Sequence, residues 1–118
     1  MAKAGVYNNG IQAGLLEKKA SDQYTFTYMD EYFANRDMPA ISLSFPKSAK
    51  KYEAKELFPF FYGMLAEGIN KDIQCRLLKI DEEDDFTRLI KTAGEDTIGA
   101  ITVKELTEQL KQKNIYTV

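Results

Sequence analysis

Histidine and tryptophan are absent from this chain of 118 residues, and cysteine occurs only once, at Cys75. Without histidine, the chain cannot form a Ser/His/Asp triad, a Cys/His dyad or a metal site with histidine ligands. A single cysteine excludes an intramolecular disulfide and fits a reducing compartment. No run approaches the roughly 18 apolar residues of a membrane span, and the first residues lack the apolar region of a signal peptide. We therefore expect a cytoplasmic protein without direct membrane contact.

The chain also has no large excess of positive or negative charge, because 16 Lys and Arg residues are balanced by 18 Asp and Glu residues. This balance excludes a generally basic nucleic-acid binder but leaves a local patch open. The basic residues that gather are Lys47, Lys50, Lys51 and Lys55, which are opposed only by Glu53. They could contact a phosphate backbone or an acidic partner, or they could simply form a solvated loop.

The first half of the chain has the patterns of β-strands. Asn9-Gly10 lies between two short apolar runs and predicts a hairpin, because both residues tolerate the positive φ of a type I′ turn. The segments 24–28 and 41–45 alternate between apolar and polar residues, and Pro46 ends the second one. These segments predict four strands of an antiparallel sheet.

The second half has the spacing of helices. We predict helices over 54–67, over 69–80, and after Asp81 as an N-cap with a buried stripe of Phe86, Leu89, Ile90 and Ala93. A strand over 98–103 and a polar helix over 104–114 follow. The fold prediction is α+β, an antiparallel sheet from the N-terminal half with about three helices packed on one side. The predicted division is a domain over 1–103 and a polar helix or tail over 104–118.

Two motifs that resemble ligand sites fail on inspection. The acidic run 81–85 has Phe86 where a calcium loop of the EF-hand type requires glycine. The segment 94–99 has the glycine spacing of a phosphate-binding loop but lacks the Gly-Lys-Ser/Thr ending. We therefore expect no metal, no cofactor and no catalytic residue.

The aromatic cluster Phe58, Phe60, Phe61 and Tyr62 does not fit one face of a helix, since neighbouring residues point about 100° apart. We expect Phe58 and Tyr62 to lie near the surface or in an interface. The alternative is that the sheet wraps the helix and buries all four rings.

Four segments, in order and over nearly the full length, resemble the N-terminal subdomain of HipA-type serine/threonine toxin kinases. They are the hairpin 6–15, the segment 41–46, the segment 60–68, and the segments 85–90 with 94–101. Ala66 departs from the family pattern, which usually has proline there. None of the motifs of the kinase core occurs in these 118 residues, so the resemblance carries no catalytic residue to this chain.

The resemblance implies a small HipS-like antitoxin of a split system, which restrains a separately encoded HipA-like kinase. A helix-turn-helix repressor similar to HipB is a further possible partner of such a system. The alternative function is a nucleic-acid-binding or transcription-linked module that uses the lysines of segment 47–55, although we expect no direct nucleic-acid binding. An orphan remnant without a partner is a third hypothesis.

We expect the partner to dock on the aromatic helix and on the turn 94–99. The predicted partner-binding residues are Phe58, Phe61, Tyr62, Leu65, Glu67, Glu95 and Asp96. The aromatic rings would supply apolar anchors, and the carboxylates would accept hydrogen bonds from basic groups of the kinase.

Overall fold

The computed structural model describes residues 2–93 and 100–106, and within them five strands form one antiparallel sheet in the order β4-β3-β2-β1-β5. The strands are β1 (Ala2–Asn8), β2 (Ile11–Ala20), β3 (Gln23–Tyr28), β4 (Lys51–Ala54) and β5 (Ile101–Leu106). The helices are α1 (Asp30–Ala34), α2 (Pro59–Tyr62), α3 (Gly68–Leu78) and α4 (Asp85–Thr92). The α+β prediction with an antiparallel sheet is confirmed.

The β1–β2 hairpin forms at the predicted turn. Asn9 has φ 51° and Gly10 has φ 83°, so both central residues occupy the left-handed region that a type I′ turn requires. Asn8 pairs with Ile11 across the turn.

The core lies on one face of the sheet. Alternation places Tyr24, Phe26 and Tyr28 of β3 on this face, and all three are buried. Residues from α1, α2 and α4 join them in one cluster, represented by Tyr32, Phe61, Phe86 and Leu89.

The segment 41–45 is not a strand, so that prediction is wrong. The Ser42 hydroxyl accepts a hydrogen bond from Ser44 N at 3.0 Å, and Ser42 O accepts one from Phe45 N at 3.0 Å, which curls the chain into a turn. Ile41 and Phe45 point into the core, while Leu43 between them is fully exposed.

The Tyr28 hydroxyl holds this segment in place. It accepts a hydrogen bond from Ile41 N at 3.1 Å and donates one to Phe45 O. Burial raises the pKa of Tyr28 above its ordinary value, and the hydrogen bond from Ile41 N opposes this shift only in part. The hydroxyl therefore replaces the strand partner that the segment 41–45 lacks.

The predicted helix over 54–67 is wrong over most of its length. Residue 54, where the predicted helix begins, is the last residue of strand β4. This strand pairs with β3 from Lys51↔Thr27 to Ala54↔Tyr24. Only Pro59–Tyr62 is helical, with proline in the first turn, where its missing N–H has no cost. The short helix α1 has no counterpart in the sequence prediction.

The third predicted helix is confirmed as α4, but its N-cap is Asp84 rather than Asp81. Asp84 Oδ1 accepts a hydrogen bond from Thr87 N at 3.1 Å, as an N-cap residue does. Phe86, Leu89 and Ala93 are buried as predicted, and Ile90 is half-buried.

The last strand, β5, continues to Leu106, so the predicted polar helix does not begin at Lys104. The rest of that predicted helix, residues 107–114, lies outside the described residues, as do Gly94 and the turn 94–99. The division of the chain at residue 103 stays a prediction.

Candidate partner-binding surface

The segment around α2 presents one ring of its aromatic cluster to solvent and turns two others inward. Phe58 and Phe61 are 8% and 0% exposed, and their ring centroids lie 5.1 and 5.7 Å from that of Phe45. Phe58 is therefore a core residue, and the expectation that it lies at the surface is wrong. The reason is that α2 is a single turn: Phe58 precedes it with extended backbone (φ −55°, ψ 138°), so the 100° rule of a long helix does not apply.

The other predicted anchors divide in the same way. Leu65 is buried in the core, whereas Tyr62 is 47% exposed and Glu67 is exposed. Phe61 and Leu65, like Phe58, are covered by this chain itself, and at most 8% of the surface of each is exposed. Glu95 and Asp96 lie outside the described residues. The partner-binding role of all seven residues stays a prediction, and Tyr62 and Glu67 are the ones that the described structure exposes.

Tyr62 stands between two cavities. The larger has a volume of about 570 Å³, and its lining includes both apolar and charged residues: Tyr24, Leu57, Pro59, Lys55, Glu56 and Asp85. The smaller, about 200 Å³, lies toward the start of α3. Tyr62 is thus an exposed aromatic residue that lines both cavities, and exposed aromatic residues beside concave surface are typical of interface anchors.

Three of the four exposed large apolar residues of helix α3 share one face of the helix, and the fourth, Leu78, lies on another side. The exposed fractions of Ile69, Ile73 and Leu77 are 72%, 47% and 76%. They follow one another at intervals of four residues and therefore share one face of the helix, which we call the α3 stripe. The buried residue of α3 is Cys75, about 160° around the helix from Ile73.

The sequence predicted this helix correctly, but the α3 stripe was not among the predicted partner-binding residues. Apolar residues at helical spacing normally face the core, so periodicity alone gives no sign that this stripe faces solvent. The helix ends at Lys79, whose φ of 56° is left-handed, and Ile80 N donates back to Cys75 O at 2.9 Å.

Three of the four lysines of segment 47–55 form hydrogen bonds or ion pairs within the chain. Lys47 Nζ donates to Asn35 O at 2.7 Å and Met38 O at 2.8 Å. Lys50 pairs with Asp30, and Lys51 lies 3.5 Å from Glu53.

The acidic run 81–85 also serves the fold. Asp81 Oδ1 accepts a hydrogen bond from Glu83 N at 2.9 Å, Asp84 caps α4, and Asp85 Oδ1 lies 3.3 Å from Arg88 Nη1. Within residues 2–93 and 100–106, no group of three or more carboxylate or cysteine side chains is placed to hold a metal ion. In the same ranges no helix has the length and hydropathy needed to cross a membrane.

Arg88 is a buried charge that the sequence analysis did not single out. It is 2% exposed, and its Nη2 donates to Ala66 O at 2.7 Å. It therefore ties α4 to the chain segment between α2 and α3. Arg88 lies about 160° around α4 from Phe86, so the helical spacing of the buried stripe gives no sign that it is buried.

Comparison with known proteins agrees with the fold. The family described as HipA N-terminal domain matches residues 4–104. The solved structure described as the N-terminal domain of HipA toxin aligns with a TM-score of 0.68 and 28% identity, over 92% of this chain and 96% of that one.

Two curated relatives differ in length. An "Uncharacterized protein" of Haemophilus influenzae is 33% identical over 82 residues, which cover 70% of this chain and 73% of the relative. A protein of Sinorhizobium fredii named "Putative kinase Y4mE" is 29% identical over 96 residues, which cover 81% of this chain but only 23% of the relative. From the match of the family over residues 4–104 and from the shared fold, the chain belongs to the HipA N-terminal domain family.

Proposed function

We propose that this protein is a non-catalytic, antitoxin-like regulatory subunit that binds and restrains a separately encoded HipA-like kinase. Membership of the HipA N-terminal domain family supports a role related to toxin–antitoxin systems. In the Sinorhizobium relative the matching region is 23% of the protein, so that relative carries a much larger body beside it. In such a protein this domain can contact the larger body within one chain. If the two parts are encoded separately, the same two surfaces can form the contact between two chains.

The observation that carries the proposal is the exposed α3 stripe. Three large aliphatic side chains, each about half to three quarters exposed, form a row on a helix that buries only Cys75 fully. An eleven-residue helix has little stability of its own, and apolar rows of this kind mark interaction sites. Covering a large aliphatic side chain contributes about 1.5–3 kcal/mol, so the stripe could contribute roughly 3–6 kcal/mol to binding after its partial burial is discounted.

The partner surface that fits this stripe is an apolar groove long enough for three turns of helix. Tyr62 would extend the contact as an aromatic anchor beside the two cavities. The nucleic-acid alternative has less support, because Lys47, Lys50 and Lys51 are engaged within the chain. A helix-turn-helix repressor stays a predicted further partner.

The test is binding to a separately encoded HipA-like kinase from the same organism, measured by calorimetry, together with the kinase's autophosphorylation. We expect a complex in which phosphorylation is suppressed. The triple variant Ile69→Ser, Ile73→Ser, Leu77→Ser should lower the affinity at least 30-fold with the circular dichroism spectrum unchanged.

The matched control is Leu43→Ser, because Leu43 is fully exposed but lies in the turn 41–45. It should bind as the wild type does. No complex, or equal affinity of the triple variant and the wild type, would contradict the proposal.

A further inference from the structure

Strand β4 is an edge of the sheet, and two of its residues turn their backbone groups outward. Tyr28 N donates to Lys50 O at 2.8 Å, and the antiparallel register continues from this pair along β4. In such a ladder every second residue bonds to the neighbouring strand, so residues 50, 52 and 54 bond to β3. The N–H and C=O groups of Lys51 and Glu53 therefore point away from the sheet, and no backbone group of the described residues bonds to them.

The opposite edge of the sheet, β5, is partly engaged by this chain itself. Val103 N donates to Ala93 O at 2.9 Å, and Lys91 Nζ lies 3.5 Å from Glu105 Oε1, so the end of α4 lies against this strand. Among the described strands, β4 is thus the edge whose outward groups stay open. An open edge can bind a further strand through main-chain hydrogen bonds.

The charges of β4 are complementary to those of a second copy of β4. Lys51 and Glu53 are both exposed and share the sheet face that points away from the core, because Tyr52 between them packs on Phe45. When a second β4 runs antiparallel about a two-fold axis at residue 52, Lys51 of each copy lies opposite Glu53 of the other. The outward backbone groups of the same two residues then face each other, which gives four hydrogen bonds and two ion pairs.

The neighbouring registers do not fit. An axis at residue 51 places Lys51 opposite its own copy, and an axis at residue 53 does the same for Glu53 and also places Lys51 opposite Lys55. Like charges directly opposite each other are destabilising. An axis between two residues would set outward backbone groups against groups that already bond to β3. Backbone pairing and charge therefore agree on the register centred on residue 52.

We propose that β4 is a self-association edge, where two copies of this protein pair strand to strand and join their sheets into one. The strand has four residues, so the contact is small and the dimer is weak and reversible. The ion pair of Lys51 with Glu53 within one copy, at 3.5 Å, is exposed and contributes little, so its exchange for pairs between copies is not opposed. The α3 stripe takes no part in this edge, and the proposal does not depend on binding to a kinase.

The test is sedimentation equilibrium of the full chain at low salt, up to millimolar concentration. We expect a monomer–dimer equilibrium that Lys51→Glu and Glu53→Lys each weaken at least fivefold, because each places like charges opposite each other twice. The two variants change the net charge in opposite directions, so repulsion between whole molecules cannot account for both losses. The control Lys104→Glu, which alters an exposed lysine of β5 with the same change of charge as Lys51→Glu, should dimerise as the wild type does.

Mixing the two variants tests the register. An equimolar mixture of Lys51→Glu and Glu53→Lys restores opposite charges at both positions, so it should associate at least as tightly as the wild type. Hydrogen exchange should slow with concentration at the amides of Lys51 and Glu53 but not at those of residues 52 and 54, which already bond to β3.

Three outcomes would overturn the proposal. They are a monomer at all concentrations, a mixture that associates no better than either variant alone, and a dimer that is lost in the triple variant Ile69→Ser, Ile73→Ser, Leu77→Ser. The last result would place self-association on the α3 stripe instead of β4. Circular dichroism of each variant confirms folding, and either single variant suffices for the comparison if the other does not fold.

Discussion

The hydroxyl of Tyr28 offers a sharp test of how the core is assembled. Tyr28→Phe removes one oxygen and keeps the ring, which packs edge-on against Phe26 at 5.0 Å and stacks on Tyr32 at 5.9 Å. The change leaves Ile41 N without its acceptor and Phe45 O without its donor, and both residues are buried. Any loss of stability therefore reports on these two hydrogen bonds rather than on the packing of the ring.

The expected loss follows from the two stranded groups. A typical hydrogen bond contributes about 1 kcal/mol, and a buried partner left unpaired adds a desolvation cost, so the free energy of unfolding should fall by about 2–4 kcal/mol. For a domain of this size the melting temperature should fall by roughly 10 °C.

The assay is urea unfolding followed by circular dichroism and tyrosine fluorescence, which no tryptophan obscures. The control is Tyr62→Phe, since Tyr62 is 47% exposed and no hydrogen bond of its hydroxyl is seen within the described residues. It should change stability by less than about 0.5 kcal/mol. If Tyr28→Phe is as mild as this control, the segment 41–45 is held by packing alone and the reasoning is refuted.

Three further changes have defined outcomes. Burial raises the pKa of Tyr28, so the folded state keeps a proton that the unfolded state loses near pH 10. The urea midpoint of unfolding should therefore fall between pH 9 and pH 11, and it should fall less in Tyr28→Phe. Equal falls in the two proteins would contradict this. Asp84→Ala should lower the free energy of unfolding by about 1 kcal/mol, because it removes the N-cap of α4, whereas Asp84→Asn should keep most of the stability of the wild type. Equal losses in the two variants would rule out capping. Gly14→Ala should lower the free energy of unfolding by about 2 kcal/mol or more, because the new Cβ would lie 2.5 Å from the Phe26 ring. The control Gly63→Ala, whose Cβ would lie 3.4 Å from its nearest neighbour, should cost clearly less. Thermal melts of the two variants would show this order.

The candidate surface was only partly predictable. Tyr62 was identified from the aromatic cluster because four rings cannot share one helical face, and its exposure agrees with that prediction. Phe58, Phe61 and Leu65 are core residues, since the one-turn helix α2 turns them inward. Arg88 was missed because its role depends on Ala66 and Asp85, and the contact with Ala66 joins residues 22 positions apart.

What the sequence determined by itself is local. Asn9-Gly10 set the hairpin because these two residues tolerate positive φ, and the strict alternation of 24–28 set a strand whose three aromatic residues share one face. The family resemblance depended on segments of the same short range, and the match over residues 4–104 agrees with it.

What only the tertiary structure decided is which side of each element meets the core. The segments 24–28 and 41–45 have the same alternation, yet only the first pairs with neighbouring strands, while the hydroxyl of Tyr28 takes the backbone groups of the second. Helix α3 has ordinary helical periodicity, but its α3 stripe faces solvent because Cys75, on nearly the opposite side, is the residue that packs inward. Periodicity gives the spacing of a face and not its direction, and direction is fixed by contacts between residues that are distant in sequence.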